Sequence, residues 1–503
     1  MAERHLFSNR MGFILATAGA AVGLGNIWRF PYLAAEYGGG IFLLIYLLLV
    51  VTLGFTIMIT EIAIGRSTGS GVLGAFAKIS RKWRFIGYLS LMVPCIILPY
   101  YSVIGGWVMK YGFEFITGGG AFIASDATGF FNAFTQSIAS PIFWSVVFIL
   151  ITGVIMMFGV QKGIERTARV LMPVLILMLI GLAIYCICMP GGLDGLWYYL
   201  YPDFSKFSFD AVVAAMGQLF YSLTLGFGVM ITYGSYLAKK ENLEKSVHTI
   251  EIFDTGVALL AGLLVVPAVF VFSGGSPEAL GSGPGLMFMA LPQVFETFPG
   301  GDIVGALFFI CVFFAALTSA ICMYEVPVAA IMEKFNVSRP ISVGIVTAFT
   351  LLVAVIVCLG YNVLDFIVLN GYNILDMLDF FSNSILLPVV VILTCLLVGW
   401  IVKPKVVIDE IEDGGHTFKM KKIYLFVLKY FAPLAIAVIL LTNLLGVWQS
   451  AEVSPTKWVL VWQPPVQRLA WAISGASPTW LQKTAEDFSS SSICFWFLRL
   501  ESH

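Results

Sequence analysis

Two glycine-punctuated stretches hold the chemistry of this chain: Gly23-Leu24-Gly25-Asn26 and, far downstream, Gly226-Phe227-Gly228. Each interrupts a segment otherwise apolar enough to cross a membrane. A glycine in a helix interior costs about 1 kcal/mol relative to alanine, so two close together favour unwinding. Backbone freed from helix at membrane depth is tolerated only where protein or a polar cavity satisfies it. Each break exposes helix ends: N-termini with free N–H groups and partial positive charge, C-termini with free carbonyls and partial negative charge. The N–H groups suit a carboxylate, and the carbonyls suit Na⁺ or an ammonium group. A zwitterionic amino acid presents both charges on one carbon, so the paired breaks predict a mid-membrane site for such a molecule. Taken alone, glycines in membrane helices have a second use, the close packing of neighbouring helices.

The elements that must position these breaks follow from hydropathy. Of 503 residues, 59% are hydrophobic and 11% charged, whereas soluble domains carry about a quarter charged residues. An all-α polytopic membrane protein is expected. Eleven apolar spans are predicted, at 11–36, 40–65, 85–116, 141–159, 168–190, 209–237, 246–273, 302–332, 340–359, 373–401 and 423–447. Most exceed the ~20 residues needed to cross, which permits tilt or internal breaks.

Cations alternate between the connections. Arg4 and Arg10 precede span one, Arg66 to Arg84 follow span two, and Lys162, Arg166 and Arg169 follow span four. Lys239, Lys240 and Lys245 follow span six, Lys334 and Arg339 span eight, and Lys403 to Lys422 span ten. The loops near 117–140, 191–208, 274–301 and 360–372 hold one cation, Lys206. By the positive-inside rule the N-terminal segment 1–10 is cytoplasmic and the protein sits in the cell (inner or plasma) membrane. Ten spans divide into two sets of five, 11–190 and 209–401, and an odd set must reinsert upside down. The breaks fall in spans one and six, the first of each set, which predicts a 5+5 inverted repeat with discontinuous helices 1 and 6. Span eleven (423–447) lies outside the repeat, and 449–503 is expected to be a disordered or adventitious tail. No cleavable signal peptide is expected.

Composition also excludes classes. A net charge of −1 gives no reason to expect a nucleic-acid partner. The eight cysteines are scattered, mostly in apolar segments, without metal-ligand spacing. An enzyme is not expected: there is no HExxH motif, and His5, His248, His416 and His503 lie outside the spans or at an edge. Arg29, Glu61, Asp254 and Asp379 all fall within spans, where a charge costs about 2.5–3.5 kcal/mol at the helix centre, so each is expected to work.

The run Gly23-Leu24-Gly25-Asn26-Ile27-Trp28-Arg29-Phe30-Pro31-Tyr32 resembles the signature of the neurotransmitter:sodium symporter family, the leucine-transporter fold. The resemblance runs from about Arg4 to Trp448 and includes Glu36-Tyr37-Gly38-Gly39-Gly40, Glu61-Ile62-Ala63-Ile64-Gly65-Arg66 and Ala315-Ala316-Leu317-Thr318-Ser319. It implies two Na⁺ sites and no organic cofactor. The first would use the Ala21 carbonyl, Asn26, Ser222 and Asp254, completed by the substrate carboxylate. The second would use the carbonyls of Gly19, Val22 and Ala315 with the hydroxyls of Thr318 and Ser319. All are the oxygen ligands a hard cation prefers. Read as residues alone, Thr318 and Ser319 have another fate, bonding back to their own helix.

The resemblance further implies a substrate pocket lined by Ala20, Ala21, Gly25, Ile97, Tyr101, Tyr221, Thr224, Phe227, Ser319 and Met323. Tyr101 would donate to the substrate carboxylate beside the Gly25 amide, and with Phe227 form an aromatic lid; ordinary packing is the alternative for Tyr100-Tyr101. Arg29 and Asp379 would close the outer path, and Arg4 and Glu333 the inner one with Tyr236 nearby. Family members more often carry Asp where Glu333 stands. Glu61 would hold unwound amides of span six.

Two departures narrow the expectation. Monoamine carriers of the family place Asp at the position of Gly23, so this substrate should bring its own carboxylate. Asp254 puts a fixed negative charge beside the first sodium site, where animal members use Ser and need chloride; Ala258 then falls at the usual chloride-linked position. The expected function is Na⁺-coupled, chloride-independent symport of a neutral hydrophobic or aromatic amino acid by alternating access, in contact with lipid and with no nucleic acid. Two alternatives stay open: a proton-coupled carrier of the same fold, and a channel or ligand sensor.

Overall fold

In the computed structural model the described residues are 7–272, 286–297, 299–368 and 372–452. They divide into two units, one holding the residues up to Val368 and from Asn373 to Leu440. That unit contains every site considered below. To the second belong Tyr372 and 441–452, the latter the end of the last helix, Ala432–Glu452. The rest of the expected tail, 453–503, lies outside the described residues, as does Arg4.

Among the described residues, nine helices are long and apolar enough to span a bilayer. They are Gly40–Thr68, Arg81–Ile116, Ala139–Met157, Val160–Ile187, Leu243–Phe272, Gly301–Phe335, Arg339–Leu359, Ile374–Ile401 and Lys421–Leu445. A tenth span is the pair Arg10–Ala21 and Gly25–Glu36, bent by 58° at its break. The remaining expected span, the sixth, is two pieces, Phe209–Ser222 and Val229–Gly234, each too short to cross alone. Both breaks therefore stand where the glycines place them.

The two sets of glycines work differently. In span six, Gly226 (φ 83°) and Gly228 (φ 74°) take left-handed backbone that other residues adopt only at a cost. In span one neither Gly23 nor Gly25 has positive φ; they are small because there is no room. A Cβ on Gly25 would lie 2.4 Å from the Tyr221 ring, and one on Gly23 2.7 Å from the Ser319 hydroxyl. After extended Val22, span one resumes as a wide π-helical turn, Gly25–Arg29.

Local chemistry starts the broken helices. Asn9 Oδ1 accepts the Gly12 N–H at 2.8 Å to cap span one, and Ser208 Oγ accepts the Ala211 N–H at 3.1 Å to cap span six. Burial then sorts the spans. In the most apolar window of span three 78% of residues are buried, against 33% in span five, so span three is core and span five periphery. The peripheral helices leave large apolar groups outward, among them Leu177, Leu352 and Leu434. Such a surface belongs in hydrocarbon rather than water.

Candidate substrate and ion sites

The break in span one presents a fan of carbonyls to span eight. Ser319 Oγ donates toward Val22 O (3.0 Å), Ala20 O (3.1 Å) and Gly19 O (3.4 Å). A hydroxyl has one hydrogen, so three acceptors share it and the spot stays rich in lone pairs. Next door, Thr318 Oγ1 bonds back to Phe314 O and Ala315 O at 3.0 and 3.1 Å. That is the helix-internal fate open to it, yet its oxygen and Ala315 O remain on the same cluster. The five residues expected at the second ion site are thus brought together, and the arrangement can offer a small cation only oxygen.

A second cluster lies between spans one, six and seven. Asn26 Nδ2 donates to Asp254 Oδ1 at 2.8 Å, to Ser222 Oγ at 3.1 Å and to Asp254 O at 3.3 Å. Ser222 Oγ donates to the Asp254 carboxylate at 3.0 and 3.1 Å. Asp254 is fully buried, and no Lys, Arg or His among the described residues pairs with it. An ionised carboxylate held in a protein interior with only neutral donors is costly unless a cation joins it. This cluster has the charge and the oxygens for a monovalent metal ion.

Between the two clusters is one small cavity. All ten residues expected around the substrate line it, together with Gly23, Leu24 and Asn26. Its volume is about 20 Å³, room for roughly a single water, so any larger molecule enters only when the lining parts. Tyr101 Oη accepts the Leu24 N–H at 3.4 Å, one residue from the Gly25 amide, and the Gly25 carbonyl is held by Gln218 Nε2 at 3.0 Å. Thr224 is buried, its Oγ1 has no hydrogen-bond partner among the described residues, and its backbone is left-handed at φ 49°. For a β-branched residue that is a true outlier, of the sort concentrated at ligand sites.

Glu61 stands as expected, Oε1 accepting the Gly226 N–H at 2.9 Å. The outer pair does not meet. Asp379 accepts instead from Asn383 Nδ2 at 2.8 Å and Tyr100 Oη at 3.0 Å, and the Arg29 guanidinium lies 5.4 Å from the centre of the Tyr221 ring. Each charge is held from its own side. At the other end, Glu333 Oε1 accepts the Gly71 N–H at 2.7 Å. Tyr236 Oη donates to Glu325 Oε1 at 2.7 Å.

A model of the sodium:neurotransmitter symporter family matches residues 4–126 and 131–479. The chain belongs to that family. An uncharacterized sodium-dependent transporter of Bacillus subtilis (strain 168), YhdH, is 34% identical over 445 residues, covering 88% of this chain and 98% of the relative. The human sodium- and chloride-dependent GABA transporter 2 is 27% identical over 463 residues, covering 82% of this chain and 75% of the relative. Among solved structures, MhsT in complex with L-phenylalanine is similar with a TM-score of 0.78 and 37% identity, covering 88% of this chain and all of that one. This symporter is therefore a membrane-embedded, sodium-coupled transporter of the leucine-transporter fold, and not an enzyme.

The symporter also carries ion pairs that local sequence does not announce. Glu325, fully buried in span eight, holds Arg339 of span nine through Nη2–Oε2 at 2.6 Å and Nη1–Oε1 at 3.1 Å. Arg66 donates to Glu410 Oε1 at 2.6 Å, and Lys239 reaches the same carboxylate at 2.5 Å. Glu165 accepts the Ser8 N–H at 2.9 Å, tying the start of span one to span five. Glu325 alone has a usable signal, a carboxylate inside an apolar run two helical turns beyond Thr318.

Proposed function

We propose that this symporter takes up a neutral hydrophobic or aromatic amino acid with Na⁺, without needing chloride, by alternating access about the breaks in spans one and six. Asp254, buried beside Asn26 and Ser222 and paired with no Lys, Arg or His among the described residues, carries the reading. Na⁺ there neutralises the carboxylate, and the same fixed charge does what a bound chloride would otherwise do. Gly19, Val22, Ala315, Thr318 and Ser319 form the second Na⁺ site, and Ala21 O completes the first. Each Na⁺ carried inward gains about 2.3 kcal/mol per 100 mV of membrane potential.

The substrate carboxylate sits at the amides and hydroxyl around Gly25, Leu24 and Tyr101, and its ammonium group faces span-six oxygens including Thr224 Oγ1. Ile97, Tyr221, Phe227 and Met323 take the apolar side chain, in keeping with the L-phenylalanine bound to the 37% identical MhsT. A Cβ at Gly23 would press on Ser319 and on Tyr101 Oη (2.7 and 3.2 Å), which leaves no space for the aspartate of a monoamine site. Arg29 with Asp379, and Arg4 with Glu333 and Tyr236, act as outer and inner gates, the outer pair closing on substrate. The cation-rich end of the bundle faces the cytoplasm, with the N-terminus on that side and the chain in the cell membrane.

Proteoliposome uptake of labelled Phe, Trp, Tyr and Leu tests this directly. Accumulation should require Na⁺ and vanish in choline, and should survive replacement of chloride by gluconate. Uptake indifferent to Na⁺ across all standard amino acids refutes the coupling; dependence on chloride refutes the role given to Asp254.

A further inference from the structure

Apart from the central cavity, the symporter has an open groove of about 510 Å³ where span ten passes through helix Lys405–Glu412 to span eleven. Among the described residues, Lys403, Lys405, Lys421 and Lys429 line it, opposed by Asp409 and Glu412. One acid is already committed, Glu412 to Lys421 at 3.0 Å. Lys403, Lys405 and Lys429 have no carboxylate partner among the described residues, so the groove keeps an excess of positive charge.

Its geometry is that of a bilayer interface. Trp400 in the groove wall is half exposed, donates Nε1–H to Lys429 O at 3.1 Å, and has Lys429 Nζ 5.8 Å from its ring centre. Tryptophans collect at headgroup depth, where one edge is apolar and the other wet. Ile401, Ile423, Phe426 and Tyr430 are exposed on the same helix ends, continuing the wall as hydrocarbon-facing surface. Lys403 turns the chain with φ 71°, a left-handed conformation that lysine seldom adopts. The backbone bends sharply just where the span leaves the apolar layer.

We infer that this groove binds the anionic headgroup of a phospholipid from the adjoining leaflet, its phosphate among Lys403, Lys405 and Lys429 and its acyl chains along Trp400 and span eleven. Basic pockets between helix ends at that depth match an anionic headgroup in charge and in apolar continuity. The inference needs the membrane placement but none of the transport reading.

Native mass spectrometry of the full detergent-purified chain tests it with phosphatidylglycerol and phosphatidylcholine of equal acyl length. The variant K403Q/K405Q/K429Q should bind phosphatidylglycerol at least about tenfold more weakly than the unaltered chain, with phosphatidylcholine unchanged. The control R81Q/K82Q/R84Q, which removes three exposed cations elsewhere, should match the unaltered chain. Equal phosphatidylglycerol binding by groove variant and unaltered chain overturns the inference, as does equal loss in the control. On the unaltered chain, NaCl should weaken phosphatidylglycerol but not phosphatidylcholine binding; insensitivity overturns it even if the groove variant fails to fold. Inorganic phosphate displacing the lipid beyond a salt-matched control assigns the groove to free phosphate and overturns the lipid.

Discussion

Replacing Asp254 by Asn separates an ion ligand from a structural carboxylate, because the two roles predict opposite signs. The substitution keeps an oxygen and the shape but removes the charge. A full charge about 4 Å from Na⁺ is worth about 4 kcal/mol at an effective dielectric of 20. Some of that is retained by the amide oxygen, so a loss of about 2–4 kcal/mol, or about 30- to 1000-fold in Na⁺ affinity, is expected. Thermal unfolding of the purified chain with and without Na⁺ reads this out. At Na⁺ a hundredfold above its dissociation constant, the unaltered chain gains about 2.7 kcal/mol; a thousandfold weaker variant gains less than about 0.1 kcal/mol. Without Na⁺ the variant should be as stable as the unaltered chain or more so, since Asp254 is buried with neutral donors only. A variant that is less stable without Na⁺ yet keeps the full Na⁺-induced gain refutes the argument.

Three further expectations follow from single contacts. Gly23→Ala brings a Cβ to 2.7 Å from Ser319 Oγ; overpacking of about 1–3 kcal/mol should lower Na⁺-dependent uptake about tenfold while the chain still folds. Thr224→Val removes a hydroxyl without partners, so melting should hold or rise while amino acid affinity, measured by scintillation proximity, falls about fivefold. Glu325→Gln breaks the buried bidentate pair with Arg339 and should cost about 2–4 kcal/mol in unfolding free energy. Adding Arg339→Gln should then cost much less than it does alone, and additive losses would argue against direct coupling.

The pocket was legible because its parts sit at short, fixed offsets within apolar spans, where Gly23, Gly25, Asn26, Thr318 and Ser319 are conspicuous. Helix geometry converts such offsets directly into a shared face. Long-range side-chain choices were not legible in the same way. Arg29 and Asp379 both carry gate-type charge within spans, but whether they meet depends on Tyr221 and Tyr100, from two other stretches of chain, and on Asn383 one turn beyond Asp379. Likewise Glu410 lies in a short amphipathic helix between spans, and only folding buries it and brings Arg66 and Lys239 onto it. Nor does a threonine announce a left-handed backbone, since Thr224 takes that conformation from the glycine-rich turn it precedes.

Gly25 and the Tyr221 ring, 2.4 Å from where a Cβ would stand, have one more implication. The coupling runs one way: a methyl at 25 collides with the ring, whereas a smaller residue at 221 enlarges the cavity that both line. A side chain at 25 therefore calls for a slimmer one at 221. In a lineage drifting toward another amino acid, the exchange would look like a compensatory pair. Gly25→Ala with Tyr221→Leu should recover binding that Gly25→Ala alone loses, with the preferred side chain shifted in size.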